Sequence, residues 1–338
     1  MKLHSFNMGD ISAFRTQLMG IATLMIIACH AQASSVLMPG LVSKVLIQGN
    51  YGVDIFLFLS GIGMYYSLNK KPIIDITGGG VFLKRRLFRL FVPYEIILLP
   101  YCLVLVLLGL YSFMDVFLSL MALEYWFFHR GAWFLSFLII LYFFTPFLYQ
   151  LFSTRYRWIW AILLCVIVTF LCAIPVGNPS NTNIVSNIQW AFSHTPCFLL
   201  GLIVGRDCKG QKSINLIWIV LLALVGIVSL KLFLVGAFLV LPLLIYLFVI
   251  ILKYTNRWKW VHRLLLLLGS ISLESYLTNI TLNGILVKII PERINSPIFF
   301  GRYLEYFIVI VVGILMAYWV NQLSTKLQNN FKIERTFI

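Results

Sequence analysis

Ionisable side chains inside apolar stretches are costly and mark function by default, and this sequence carries several. In FRTQLMGIATLMIIACHAQASS, Arg15 precedes His30 by about 22 Å of helical rise, and the two fall within about 60° of each other on one side of the helix. A snorkelling arginine and a satisfied core histidine would leave the same trace. The next apolar stretch, NYGVDIFLFLSGIGMYYSL, starts from the opposite side, so Asp54 enters at a depth comparable with His30. A carboxylate beside an imidazole fixes its tautomer and raises its basicity, as a general base requires. Asp54 is equally a helix-start cap. FLKRRLFRLFVPYE places Arg86 and Arg89 three apart, on one face if helical. Guanidinium pairs suit phosphate groups, and the same charges beside headgroups would also set topology. Pro93 fits the first turn of a helix and predicts a boundary there. Ser60, Gly61 and Gly63 allow close helix approach. Glu95, Glu124 and Glu274 complete the candidates, Glu274 in a polar start (GSISLESYLTNI) that should face the bundle interior.

The elements that must hold these residues are membrane spans. Charged residues make up 11% of the 338, hydrophobic ones 61%, and mean hydropathy is +0.95, whereas a soluble domain needs about a quarter of its residues charged. The apolar runs do not alternate with polar residues, so they predict helices rather than barrel strands. At the ~20-residue length that spans a bilayer, the runs fall at 16–35, 52–69, 91–111, 132–152, 158–175, 189–206, 214–230, 232–252, 264–287 and 303–324. The stretch 214–252 must be split near Lys231, and 114–128 is short enough to be interfacial or re-entrant. With the N-terminus inside, 20 of the 26 Lys and Arg fall on inner segments; Lys44, Arg130, Lys231, Lys288, Arg293 and Arg302 fall outside. That asymmetry is what the positive-inside rule expects of ten spans with both ends inside. The expected fold is all-α, a polytopic membrane bundle of about ten transmembrane helices, N-in and C-in, forming a single domain over 1–338.

The net charge of +15 sits in short clusters between apolar runs, facing anionic headgroups rather than nucleic acid. The six cysteines are scattered, with no metal-ligand spacing and no disulfide framework. Residues 1–15 hold no apolar stretch ending in a cleavage site, so the first run is expected to be a retained span.

Taken in order, these segments resemble the acyltransferase-3 family of integral-membrane acyltransferases. The likeness rests on Gly20, Ala22 and His30 in the first span and on Gly52-Val53-Asp54-Ile55-Phe56 through Ser60-Gly61 in the second. It continues through Arg86, Arg89 and Pro93, a WF…Y…P span holding Trp133, Tyr142 and Pro146, the stretch Pro196 to Gly205, and Ser272 to Leu277. Each piece alone is weak; six in order are specific. The family's first-span arginine lies eleven residues before the histidine, at Met19 here, and Arg15, one turn earlier on that face, is the candidate for its role.

The resemblance implies an acyl-CoA donor, usually acetyl-CoA, taken from the cytoplasm as a substrate rather than a bound cofactor. It implies as acceptor a hydroxyl on a lipid-linked or surface glycan, and a multi-pass location in an inner or plasma membrane; a homodimer is compatible with it. Arg86, Arg89 and Tyr142 would bind the donor, His30 would deprotonate the acceptor or relay the acyl group, Asp54 would orient His30, and Arg15 would assist. Two other classes stay open. A glycan exporter or flippase predicts inverted repeats with interrupted spans in both halves, and a polysaccharide polymerase predicts long outer loops; neither feature is evident.

Overall fold

The computed structural model describes residues 5–33, 40–73, 76–175, 183–233, 236–289 and 299–330. Backbone groups in hydrocarbon must pair within their own segment, and the described residues are accordingly 87% helical. Its helices are α1 (Gly9–Ala13), α2 (Arg15–Ala33), α3 (Gly40–Ile47), α4 (Tyr51–Lys70), α5 (Ile76–Leu107), α6 (Phe113–Leu120), α7 (Glu124–Phe128), α8 (Trp133–Ser153), α9 (Arg157–Ala173), α10 (Ile184–Phe192), α11 (Thr195–Lys209), α12 (Leu216–Phe233), α13 (Ala237–Tyr254), α14 (Lys259–Ser270), α15 (Ser272–Ile289) and α16 (Phe299–Asn330). Two short strands, β1 (Ser5–Asn7) and β2 (Ser213–Asn215), pair antiparallel with Phe6 opposite Ile214.

Each of the ten expected segments holds a helix or a helix pair. Among the described residues, six helical runs are long and apolar enough to cross a bilayer: Gly40–Lys70, Gly78–Leu107, Trp133–Ser153, Ile184–Lys209, Ala237–Arg257 and Leu304–Asn330. The pair Lys259–Ser270 and Ser272–Ile285, bent by 72°, makes a seventh if it counts as one span. The apolar helices Arg157–Ala173 and Leu216–Leu230 are shorter. α2 is not among these runs, and it carries the polar residues Arg15, Gln17 and His30. It is enclosed by α4, α14 and α15 instead. The stretch expected to split near Lys231 divides into α12, which runs through Phe233, and α13, which starts at Ala237 after Gly236 with its φ of +100°, a value open to glycine. The segment 114–128 forms the short helices α6 and α7, with Phe113 and Phe117 exposed. Lys2, Arg293, Lys332 and Arg335 lie outside the described residues.

One expectation is corrected. Pro93 does not mark a helix boundary: α5 runs unbroken from Ile76 through both Pro93 and Pro100. The missing N–H removes one intrahelical bond, to the carbonyl four residues back at Arg89. The rest of a 32-residue helix, packed against α8, α15 and α16, holds the backbone helical across the gap. Arg86 and Arg89 therefore share a rigid helix with the span itself.

Two close helix crossings position the polar residues. α4 packs on α11 where a Cβ at Gly61 would overlap the backbone of Phe198 and one at Gly201 would overlap that of Phe58. α2 packs on α14 through Gly20, against the Leu265 carbonyl, and Gly269, against that of Thr16. Small residues at helix interfaces let backbones approach in this way.

Candidate active site

α2 carries one polar cluster at each end. At the Arg15 end, Arg15 is buried, with 7% of its surface exposed. Its Nε and Nη2 both donate to the Leu59 carbonyl on α4, at 3.1 and 3.0 Å. Gly63 makes this possible, because a Cβ there would collide with the guanidinium. The groups acting electrostatically on Arg15 are Arg86 and Arg89 of α5, Tyr142 of α8, and Tyr66, with no carboxylate among them. Arg86 is also buried, at 6% exposure, and its Nη2 has no hydrogen-bond partner among the described residues. Its guanidinium lies over the Phe82 ring at 5.7 Å. Like charges gathered away from water repel one another and lack solvation, so a buried pair such as Arg15 and Arg86 is costly without a counter-charge. Four expected site residues, Arg15, Arg86, Arg89 and Tyr142, are thereby brought together.

At the other end, His30 Nδ1 lies 2.7 Å from Oδ1 of Asn279 on α15. Asn283 Nδ2 donates to the same oxygen at 3.3 Å. An oxygen that accepts from both neighbours requires the proton of His30 to sit on Nδ1, which leaves the lone pair on Nε2. Asn279 Nδ2 is buried and makes no hydrogen bond of ordinary geometry among the described residues. The Tyr276 ring stands 6.5 Å from His30, and its hydroxyl accepts from the Phe134 backbone N–H at 3.3 Å.

The structure does not bring Asp54 onto His30. Asp54 is buried in the first turn of α4, and its Oδ1 accepts from His194 Nδ1 at 2.6 Å and from Cys197 Sγ at 3.3 Å. The reason is azimuth. The two residues enter at a similar depth, but α4 turns its Asp54 face to α11, its most extensive packing partner. Trp133 and Trp190 flank the His194 ring at centroid distances of 5.3 and 5.8 Å. Asp54 is no helix cap either, since no capping bond forms at the start of α4.

Two groups escaped the sequence analysis. Asn279 was one polar residue among several in SLESYLTNI, and His194 stood outside the matched motifs, next to Thr195-Pro196. Proline in the first turn of α11 marks His194 as a residue at a helix entrance, the one local signal that pointed to it.

The acidic candidates separate. Glu274 is buried and receives Asn321 Nδ2 at 2.9 Å, facing the interior as expected. Glu124 is buried at the start of α7, where Tyr111 Oη and Ser119 Oγ donate to it, both at 2.7 Å, and Arg130 approaches to 3.8 Å. Glu95 is half-buried on α5. Glu124 and Arg130 also line a mostly apolar cleft of about 200 Å³ with Tyr94, Tyr101 and Thr281.

Apolar helices around an interior with a polar cluster at either end define a multi-pass membrane protein whose polar residues face one another rather than lipid. Its family follows from comparison. The model of the acyltransferase-3 family, described as an acyltransferase domain, matches residues 17–322, nearly the whole chain, and the protein belongs to that family. It is a membrane acyltransferase. Neither curated proteins nor solved structures gave a match.

Proposed function

We propose that this acyltransferase moves an acyl group, acetyl first among the candidates, from acyl-CoA in the cytoplasm to a hydroxyl of a lipid-linked or cell-surface glycan. The observation that carries the donor class is the pair of buried guanidiniums, Arg15 and Arg86, whose charges meet no carboxylate among the described residues and whose Nη2 at Arg86 has no partner among them. A coenzyme A diphosphate supplies the missing charge in the form guanidinium groups bind best. His30 then acts as general base at the far end of α2, about 22 Å of helical rise away. The acceptor oxygen gives its proton to Nε2 and forms a C–O bond with the thioester carbonyl. The C–S bond breaks, and the imidazolium proton balances the leaving thiolate, which departs as the thiol. Asn279, rather than Asp54, fixes the tautomer that leaves Nε2 basic.

The topology of the proposal is N-in and C-in with ten spans in an inner or plasma membrane. The Arg15 end then faces the cytoplasm, where acyl-CoA is found, and the His30 end faces the glycan. The test is to incubate membranes with radiolabelled acetyl-CoA and extracted glycan. Base-labile label in the glycan, absent with His30→Ala, is the expected outcome. No incorporation above that of membranes lacking the protein would reject the proposal.

A further inference from the structure

His129 and His194 lie outside the mechanism proposed above, and both are fixed at Nδ1. Asn187 Nδ2 donates to the Tyr125 and Trp126 carbonyls at 3.3 and 3.0 Å, which turns its Oδ1 to His129 Nδ1 at 2.8 Å. The buried Asp54 carboxylate holds His194 Nδ1 in the same way, at 2.6 Å. Each ring is left one further polar atom, Nε2, and neither Nε2 makes a hydrogen bond to protein groups among the described residues. His129 also ends α7 at a φ of +52°, a left-handed conformation that a residue other than glycine keeps only where its surroundings hold it. Two imidazoles are thus aimed at some cost.

Aromatic rings join the two histidines into one layer. Trp133 stands 5.3 Å from His194 and 6.1 Å from Tyr125, which lies 5.2 Å from His129. Trp190, 47% exposed, flanks His194 at 5.8 Å. The Tyr125 hydroxyl donates to the Asn187 carbonyl at 3.1 Å, so α7 and α10 brace the layer between them. Aromatic residues at a span's edge are ordinarily interface anchors, but an anchor needs no histidine held by a buried carboxylate. Arg130, next along the chain from His129, is engaged by Asp115 and Glu124 at 3.9 and 3.8 Å, so it is not a free cation for an anion. The ligand that fits is uncharged, with apolar C–H faces for the rings and hydroxyls for the two nitrogens. A sugar unit has both. A line of ring contacts then leads to the other histidine: Trp133 to Phe134 at 6.3 Å, Phe134 to Tyr276 at 5.6 Å, and Tyr276 to His30 at 6.5 Å. The layer therefore lies at the His30 end of the bundle but several ring widths from His30. That separation suits a neighbouring unit of one glycan and is too great for the hydroxyl being acylated.

We infer that the layer formed by His129, Trp133, Trp190 and His194 is a subsite for a sugar unit of the acceptor other than the one that receives the acyl group. The inference rests on the glycan acceptor proposed above. The indoles take the C–H faces of the sugar, and the two Nε2 atoms bond to its hydroxyls. Because the rings are braced before the glycan arrives, little ordering is lost on binding.

The test is transfer from radiolabelled acetyl-CoA by the purified full-length protein in detergent, with extracted, deacylated glycan as acceptor. The variants are Trp190→Leu, which keeps an apolar side chain at an exposed position, and His129→Asn, since asparagine tolerates the left-handed backbone. Each should raise the KM for glycan about fivefold, with kcat and the affinity for acetyl-CoA unchanged. A glycan KM equal to that of the wild type in either variant, or a fall in kcat alone, overturns the subsite and leaves the glycan acceptor standing. Wild-type protein that transfers no label to the glycan overturns the acceptor and the subsite together.

Discussion

His30 and His194 are both held through Nδ1, and their partners set what each ring can do. The amide oxygen of Asn279 orients His30 without a charge, so nothing formal opposes its return to the neutral, basic form. The Asp54 carboxylate gives His194 a charged acceptor at 2.6 Å, a shorter and stronger bond that secures the entrance of α11 to α4. Loss of His30 should therefore lower turnover with little change in folding. His30→Ala is expected to reduce kcat by roughly the 10²–10⁴-fold of a general base, measured per folded protein. His194→Gln and Asp54→Asn should each lower stability by roughly 1.5–3 kcal/mol, and the double variant by no more than the worse single one, because the two side chains form one interaction. Additive melting shifts across that cycle would show that the pair is uncoupled. Arg86→Ala should raise the KM for acyl-CoA roughly ten- to a hundredfold, a loss of about 1.5–3 kcal/mol, with the KM for acceptor little changed. An unchanged donor KM would leave Arg86 a topology-setting charge.

Helices set these distances through a few small residues. Gly61 and Gly201 bring α4 and α11 close enough for Asp54 to reach His194, while Gly63 leaves the space that Arg15 fills. Gly201→Ala should cost about 1–3 kcal/mol by overpacking, read as a lower melting temperature in detergent. A melting temperature equal to that of the wild type would mean that the crossing is looser than described. Much at this scale was legible beforehand: hydropathy located every long helix, and three-residue spacing put Arg86 and Arg89 on one face. What could not be read was which faces meet. Asp54 and His194 are 140 positions apart, and His30 and Asn279 are 249 apart. Depth in a membrane follows from position along a span, but azimuth follows from packing, and here the glycine contacts decide it. Pro93 misled for a related reason, since a proline's local preference yields to the packing of a long helix.

Across the whole molecule, several residues of the segments expected to be inside meet at one end. β1 pairs with β2, Lys253 reaches Asp10 at 2.5 Å, and Arg157 meets Asp207 at 3.0 Å. Residues 5–10, 157, 207–215 and 253 therefore lie together at the Arg15 end. Under the proposed orientation, a cysteine at position 183 should react with an impermeant thiol reagent applied to intact cells, and one near residue 328 should not; labelling at 328 alone would invert the protein. The central claim is that a base at one end of α2 acts on a donor held at the other, and one experiment separates those functions. Purified His30→Ala protein, with its folding checked by melting, should bind acetyl-CoA with wild-type affinity and yet transfer label to acceptor glycan at no more than about a hundredth of the wild-type rate. Near-normal turnover by that variant would contradict the account.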